Sequence, residues 1–146
     1  MEILNRQAGF HYEILETFEA GIVLVGCEVK SIRKGDANIK DSYARFKGPE
    51  MYLINMHIAP YSHGNRQNPE ETRERKLLLK APEIKKLIGK TQQKGLAIVP
   101  LKVYLKGNRY VKVLLGLGKS KKIYDKKDSK KQKDIDRELS RSYKIK

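Results

Sequence analysis

The chain has 146 residues, which fits one hydrophobic core plus an appendage. Lys and Arg number 32 against 17 Asp and Glu, a formal net charge of +15 that sets the chain apart from near-neutral enzymes and favours a polyanionic partner. No run approaches the roughly 18 consecutive apolar residues of a membrane span, MEILNRQAGF lacks a basic segment followed by an apolar one, and the single Cys27 excludes an intramolecular disulfide, so a cytoplasmic, reducing location without membrane association is expected.

From the N-terminus, YEILETFEAGIVLV (residues 12–25) alternates at Tyr12, Ile14, Glu16 and Phe18 and becomes continuously apolar after Glu19-Ala20-Gly21. Two adjoining strands are expected. CEVKSIRKG places Val29 and Ile32 on one side, with Lys30, Arg33 and Lys34 on the other and Gly35 where a C-cap falls; this predicts a short helix. Cys27, between Val25 and Val29, reads as a small buried side chain. SYARFKGPEMYLINMHIAPY alternates on both sides of Gly48-Pro49 and predicts a hairpin. SHGNRQNPEETRER has almost no apolar residue to bury and predicts a mobile loop.

RKLLLK then reads as a short strand, and APEIKKLIGKTQQKG as a helix of about ten residues, with Pro82 in its first turn and Ile84, Leu87 and Ile88 on one face, running toward Gly95. LAIVPLKVYLKGNRYVKVLLGLG alternates about Lys106-Gly107-Asn108-Arg109, a second hairpin in which Pro100 requires an edge or a bulge. About six strands and two short helices, without regular strand–helix alternation, predict a mainly β protein: a six-stranded antiparallel barrel of the OB type over residues 1–118. Such a barrel buries one face of each strand and offers the other face and its loops to nucleic acid.

Residues 119–146 hold 12 Lys or Arg and 5 Asp or Glu, too polar to build a core, so a basic tail that is disordered when free is expected. Ile135, Leu139 and Tyr143 recur at i, i+4 and i+8, one face of a helix that could form on contact with a surface. Lys119, Lys121, Lys122, Lys126, Lys127, Lys130, Lys131 and Lys133 crowd into a short span suited to phosphates. Tyr124 is the best stacking candidate among them, whereas Tyr104 and Tyr110 serve equally well as barrel packing.

Catalytic constellations are not found. His11, His57 and His63 have no metal-ligand spacing, Glu28, Asp36 and Asp41 specify no acid–base pair, and no phosphate-cradling glycine loop is present. No enzyme activity, metal or cofactor is expected. A ribosomal or ribosome-assembly protein and an RNA-modifying enzyme are the alternative readings to a dedicated RNA-binding adaptor.

The order of several segments resembles one family: Asn5 before Ala8 and Tyr12, F-E-A-G-I at 18–22, G-C-E-V-K-S-I-R-K-G at 26–35, A-N-I-K-D-S-Y at 37–43, R-K-L-L-L at 75–79 and G-K-S-K-K-I-Y-D-K-K at 118–127. These are similar to the SsrA-binding protein (SmpB) family. The resemblance implies a six-stranded barrel with about three helices and a basic tail. It implies the tRNA-like domain of transfer-messenger RNA (SsrA) and the ribosome, with its 16S rRNA, as partners. A monomer when free is expected. Asn5, Glu19 and Leu78 match positions associated in this family with RNA binding, although Leu78 also reads as core; Tyr12, in a matching segment, and the basic Lys119, Lys121 and Lys122 are further candidate RNA-binding residues. Tyr124, Asp125, Lys126 and Lys127 match a segment implied to act in the decoding centre, and the residues after it, including Ile135, Leu139 and Tyr143, are implied to become helical in the empty mRNA channel. Lys127 stands where the family commonly has Arg, which keeps the charge and loses the bidentate fork.

Overall fold

In the computed structural model, described over residues 2–60, 70–107 and 109–121, the alternation that begins at Tyr12 forms one strand, Tyr12–Ile22. The expected break at Gly21 is absent, because that residue faces strand neighbours on both sides, opposite Leu78 and Lys112. A register shift between Ile14 and Glu16 bends the strand instead.

Among the described residues, nine strands and three helices follow in chain order: β1 (Glu2–Leu4), α1 (Ala8–His11), β2 (Tyr12–Ile22), α2 (Gly26–Arg33), β3 (Ala37–Asn38), β4 (Tyr43–Lys47), β5 (Glu50–Ile54), β6 (His57–Ile58), β7 (Arg75–Leu78), α3 (Ala81–Thr91), β8 (Leu96–Lys106) and β9 (Tyr110–Ser120). Pairing runs β8–β4–β5–β7–β2–β9 and returns to β8, all antiparallel, so six strands close into the expected ring. The seam is β4 with β8, paired at Ala44 and Ile98. Closure leaves no free edge among these six. Outside the ring, β1 lies on β8 and β3 pairs with β6.

Each turn residue does what its position requires. Gly48 (φ 62°) turns β4 into β5, and Gly107 (φ 62°) turns β8 into β9. The strand predicted to run on through His57 stops at Ile54, because Asn55 adopts φ 63° and turns the chain away from the ladder. Pro100 sits at a bulge, where the β8–β9 register shifts before Lys102. Helix α2 opens with the Val25 backbone N–H donating to Glu28 Oε1 at 3.0 Å and ends before Gly35 at φ 80°. Cys27 is half-buried rather than buried, since the first turn of α2 reaches the rim of the core.

Ile32, Met51, Leu53, Leu77, Leu87, Val103, Val113 and Leu115 are essentially inaccessible and form one core inside the ring, capped by α2 and α3. A charged group is buried at its edge: Glu28 and Arg75 are 2% and 0% exposed. Strand β9 carries the chain past residue 118 to Ser120. The loop expected from Ser62 to Arg75 falls largely outside the described residues; at its end, β7 already begins at Arg75.

Candidate RNA interface

The antiparallel register brings residues distant in sequence into rows on the outer face. Leu78, Gly21, Lys112, Tyr104 and Glu2 are direct partners across β7, β2, β9, β8 and β1. Directly opposed residues point to the same side of a sheet, so these five share one face. The adjacent row on that face is Glu19, Leu114, Lys102 and Leu4. Leu78 is 51% exposed and Leu4 49%, which overturns the core reading of Leu78. With no side chain at Gly21, the row opens between Leu78 and Lys112; a Cβ there would lie 3.4 Å from Leu78 Cβ and 3.7 Å from Lys112 Nζ.

Glu19 is held from two sides. Tyr104 donates its hydroxyl to Glu19 Oε2, and Lys106 Nζ donates to Oε1 at 3.0 Å. The Tyr104 bond and that of Lys106 keep the Glu19 carboxyl below its ordinary range. Partial burial, with the same hydrogen bond, pushes the Tyr104 phenol up to about 12. Lys102 lies 5.2 Å above the Tyr104 ring and 3.2 Å from Glu2, and among the described residues Lys112 has no carboxylate at ion-pair distance. The face therefore combines a fixed acceptor, an aromatic ring, cations and two exposed leucines. Tyr110, 63% exposed at the adjoining turn, adds a second ring.

Other sequence-predicted residues lie nearby but play different parts. Asn5 is buried and ties β1 to two other segments, donating from Nδ2 to the carbonyls of Ile39 (3.3 Å) and Pro100 (2.9 Å). Tyr12 is half-buried and lies over Gly118, where an added Cβ would come within 2.8 Å of Tyr12 Cβ. Lys119 is exposed on β9, while Lys121 donates to the carbonyl of Gly9 at 3.2 Å. Lys122, Tyr124, Asp125, Lys126, Lys127, Ile135, Leu139 and Tyr143 lie outside the described residues. Gly21, Lys102 and Lys112 were not identified from sequence. Only the cross-strand register places them beside Glu19 and Leu78, and no local motif marks them.

A closed six-strand antiparallel ring whose outer face carries cations and aromatic rings belongs to the class of small basic β-barrels that present a face to nucleic acid. The chain belongs to the SmpB family: the family model described as "SmpB protein" matches residues 2–145. Relatives called "SsrA-binding protein" are 57% identical over 140 residues in Shouchella clausii, covering 96% of this chain and 89% of that one, and 54% identical over 139 residues in Bacillus subtilis, covering 95% and 88%. A solved chain described as "tmRNA-SmpB: a journey to the center of the bacterial ribosome" superposes with a TM-score of 0.70 at 52% identity, covering 84% of this chain and 85% of that one.

Proposed function

We propose that this protein binds the tRNA-like domain of transfer-messenger RNA and accompanies it into stalled ribosomes, acting as a non-enzymatic adaptor in ribosome rescue and peptide tagging. The observation that carries the reading is the family match over residues 2–145, which spans barrel and tail alike. The outer face supports where the RNA sits. Glu19 already accepts one bond at each oxygen, and a carboxylate has about four lone-pair sites, so it retains capacity for a ribose hydroxyl or a base amine. Leu78, Lys112 and Tyr104 extend that contact as an apolar, a cationic and a stacking surface.

In this reading the barrel and the tail divide the work. The barrel selects folded RNA, with Asn5 and Tyr12 shaping its surface and Lys119, Lys121 and Lys122 adding charge at the exit of β9. Tyr124, Asp125, Lys126 and Lys127 act in the decoding centre against 16S rRNA, and a helix bearing Ile135, Leu139 and Tyr143 occupies the vacant mRNA channel. The protein works in the cytoplasm as a monomer until it meets RNA, and the chemistry is left to the ribosome.

The test compares the intact chain with a truncation after Lys121, which spares β9 to its end at Ser120. Binding to the tRNA-like domain and tagging on stalled ribosomes are measured side by side. The truncation is expected to keep RNA binding and lose tagging; loss of RNA binding with tagging intact overturns the division of labour.

A further inference from the structure

We propose that the cavity between α1, the link from β3 to β4 and the start of β8 receives a single nucleoside turned out of an RNA loop. The inference rests on the RNA-binding reading above and adds the chemical class of what one cavity of the barrel holds. The cavity measures about 420 Å³ and is lined by Asn5, Tyr12, Lys40, Ser42 and Tyr43 among others.

Two of these side chains are buried with a hydrogen-bonding atom unused. Asn5 is 9% exposed and Ser42 5%. The Asn5 amide is oriented by its own bonds, because Nδ2 faces the carbonyls of Ile39 and Pro100. Its Oδ1 is left without a partner among the described residues, and so is Ser42 Oγ. The two side chains are held beside one another through a shared acceptor, since the Ile39 carbonyl that takes the Asn5 amide also takes the Ser42 backbone N–H at 3.1 Å.

Leaving a buried polar atom without a partner is costly, so folded chains rarely keep one, and two such atoms on residues that line a single cavity mark a surface completed by something else. What completes it must donate to an amide oxygen and engage a hydroxyl. Adjacent donor and acceptor groups on the hydrogen-bonding edge of a nucleobase do both. Tyr12 and Tyr43 supply aromatic surface for the base, and exposed Lys40 supplies charge for the attached phosphate.

The experiment substitutes Ser42→Ala in the full chain and measures affinity for the tRNA-like domain together with the melting temperature. In parallel, the four nucleoside 5′-monophosphates are titrated into the unaltered protein, and the backbone amide signals of Asn5 and Ser42 are followed by NMR. Because the hydroxyl has no partner among the described residues, the variant is expected to melt at the same temperature or higher while binding RNA about tenfold more weakly, one lost hydrogen bond at a desolvated site. At least one monophosphate is expected to shift both signals. A lower melting temperature shows that the hydroxyl serves the fold and overturns the inference. Unchanged RNA affinity with no monophosphate shifting the signals overturns it too and leaves the RNA-binding reading standing. Failure of the unaltered protein to bind the tRNA-like domain takes down that reading and the inference with it.

Discussion

Glu28 of α2 and Arg75 of β7 form an ion pair at 2.6 Å with both side chains inaccessible to water. Arg73 completes it, donating from Nη2 to Glu28 Oε1 at 2.5 Å, and the Arg75 guanidinium also donates to the carbonyls of Met56 (2.6 Å), Arg73 (3.2 Å) and Glu71 (3.0 Å). One arginine thus fastens the helix to the barrel and ties in the chain on either side of residues 61–69.

Breaking that clamp destabilises the protein. Glu28→Gln leaves Arg75 buried without its counter-charge and is expected to cost about 3–5 kcal/mol, read from denaturant unfolding. Arg75→Met is expected to cost a similar amount, because an apolar replacement also strands the three carbonyls. Burial opposes the charge on Glu28, but the bonds from Arg73, Val25 N–H and Arg75 outweigh it and hold its carboxyl below the ordinary 4.5. A lowered carboxyl stabilises above its unfolded pKa and loses that contribution as pH falls through the folded one. Acid unfolding monitored by circular dichroism is therefore expected to set in below about pH 4.5 and to be blunted in Glu28→Gln.

Tyr104 and Glu19 shift each other in opposite directions. The phenol, raised to about 12, favours the folded state below pH 10 and loses that contribution as pH rises through its folded pKa. Ultraviolet titration is expected to find one late tyrosine that is missing in Tyr104→Phe. In that variant, the Glu19 carboxyl is expected to titrate at higher pH by NMR, since its largest stabilising bond is gone.

Leu78 separates binding from stability. Half-exposed on the outer face, it contributes little to the core, so Leu78→Ala is expected to change unfolding free energy by within about 0.5 kcal/mol. Affinity for the tRNA-like domain is expected to fall severalfold in the same protein, measured by filter binding. A loss of stability without a loss of binding contradicts the assignment of this face.

Two glycines on neighbouring strands are expected to behave differently. At Gly118 an added Cβ meets Tyr12 Cβ at 2.8 Å, and Gly118→Ala is expected to lower stability by about 1–3 kcal/mol in thermal unfolding. At Gly21 the nearest contact is an ordinary 3.4 Å, so Gly21→Ala is expected to fold normally and to reveal its effect in RNA affinity.

RNA binding should depend steeply on salt. With about six phosphates contacted, affinity is expected to drop by about 10³ between 50 and 200 mM salt, and each lysine removed from the interface to shallow the slope by about one contact. Lys112→Ala and Lys119→Ala tested by fluorescence anisotropy at several salt concentrations give that count.

The long elements were legible in the sequence because their periodicities are local. The helix over Ala81–Thr91 and the two hairpins about Gly48 and Gly107 lie where alternation and turn residues place them. The short pieces were missed: three residues of β1, four of α1 and two of β3 are too few to show any period. The extent of β2 was misread because Gly21 resembles a break in one strand and becomes an opening on a surface once its neighbours are known.

Composition and motif order by themselves determined that this is a basic, mainly β chain with a polycationic end, and they carried its family resemblance. Those properties depend on residues near one another along the chain. Only the tertiary structure decided that Leu78 faces water, that Glu19 is gripped by Tyr104 and Lys106, that Asn5 and Ser42 line one cavity, and that Arg75 lies buried against Glu28. Each of these joins strands or helices distant in sequence, and the register and closure that join them are set by the packing of the whole barrel rather than by any local pattern.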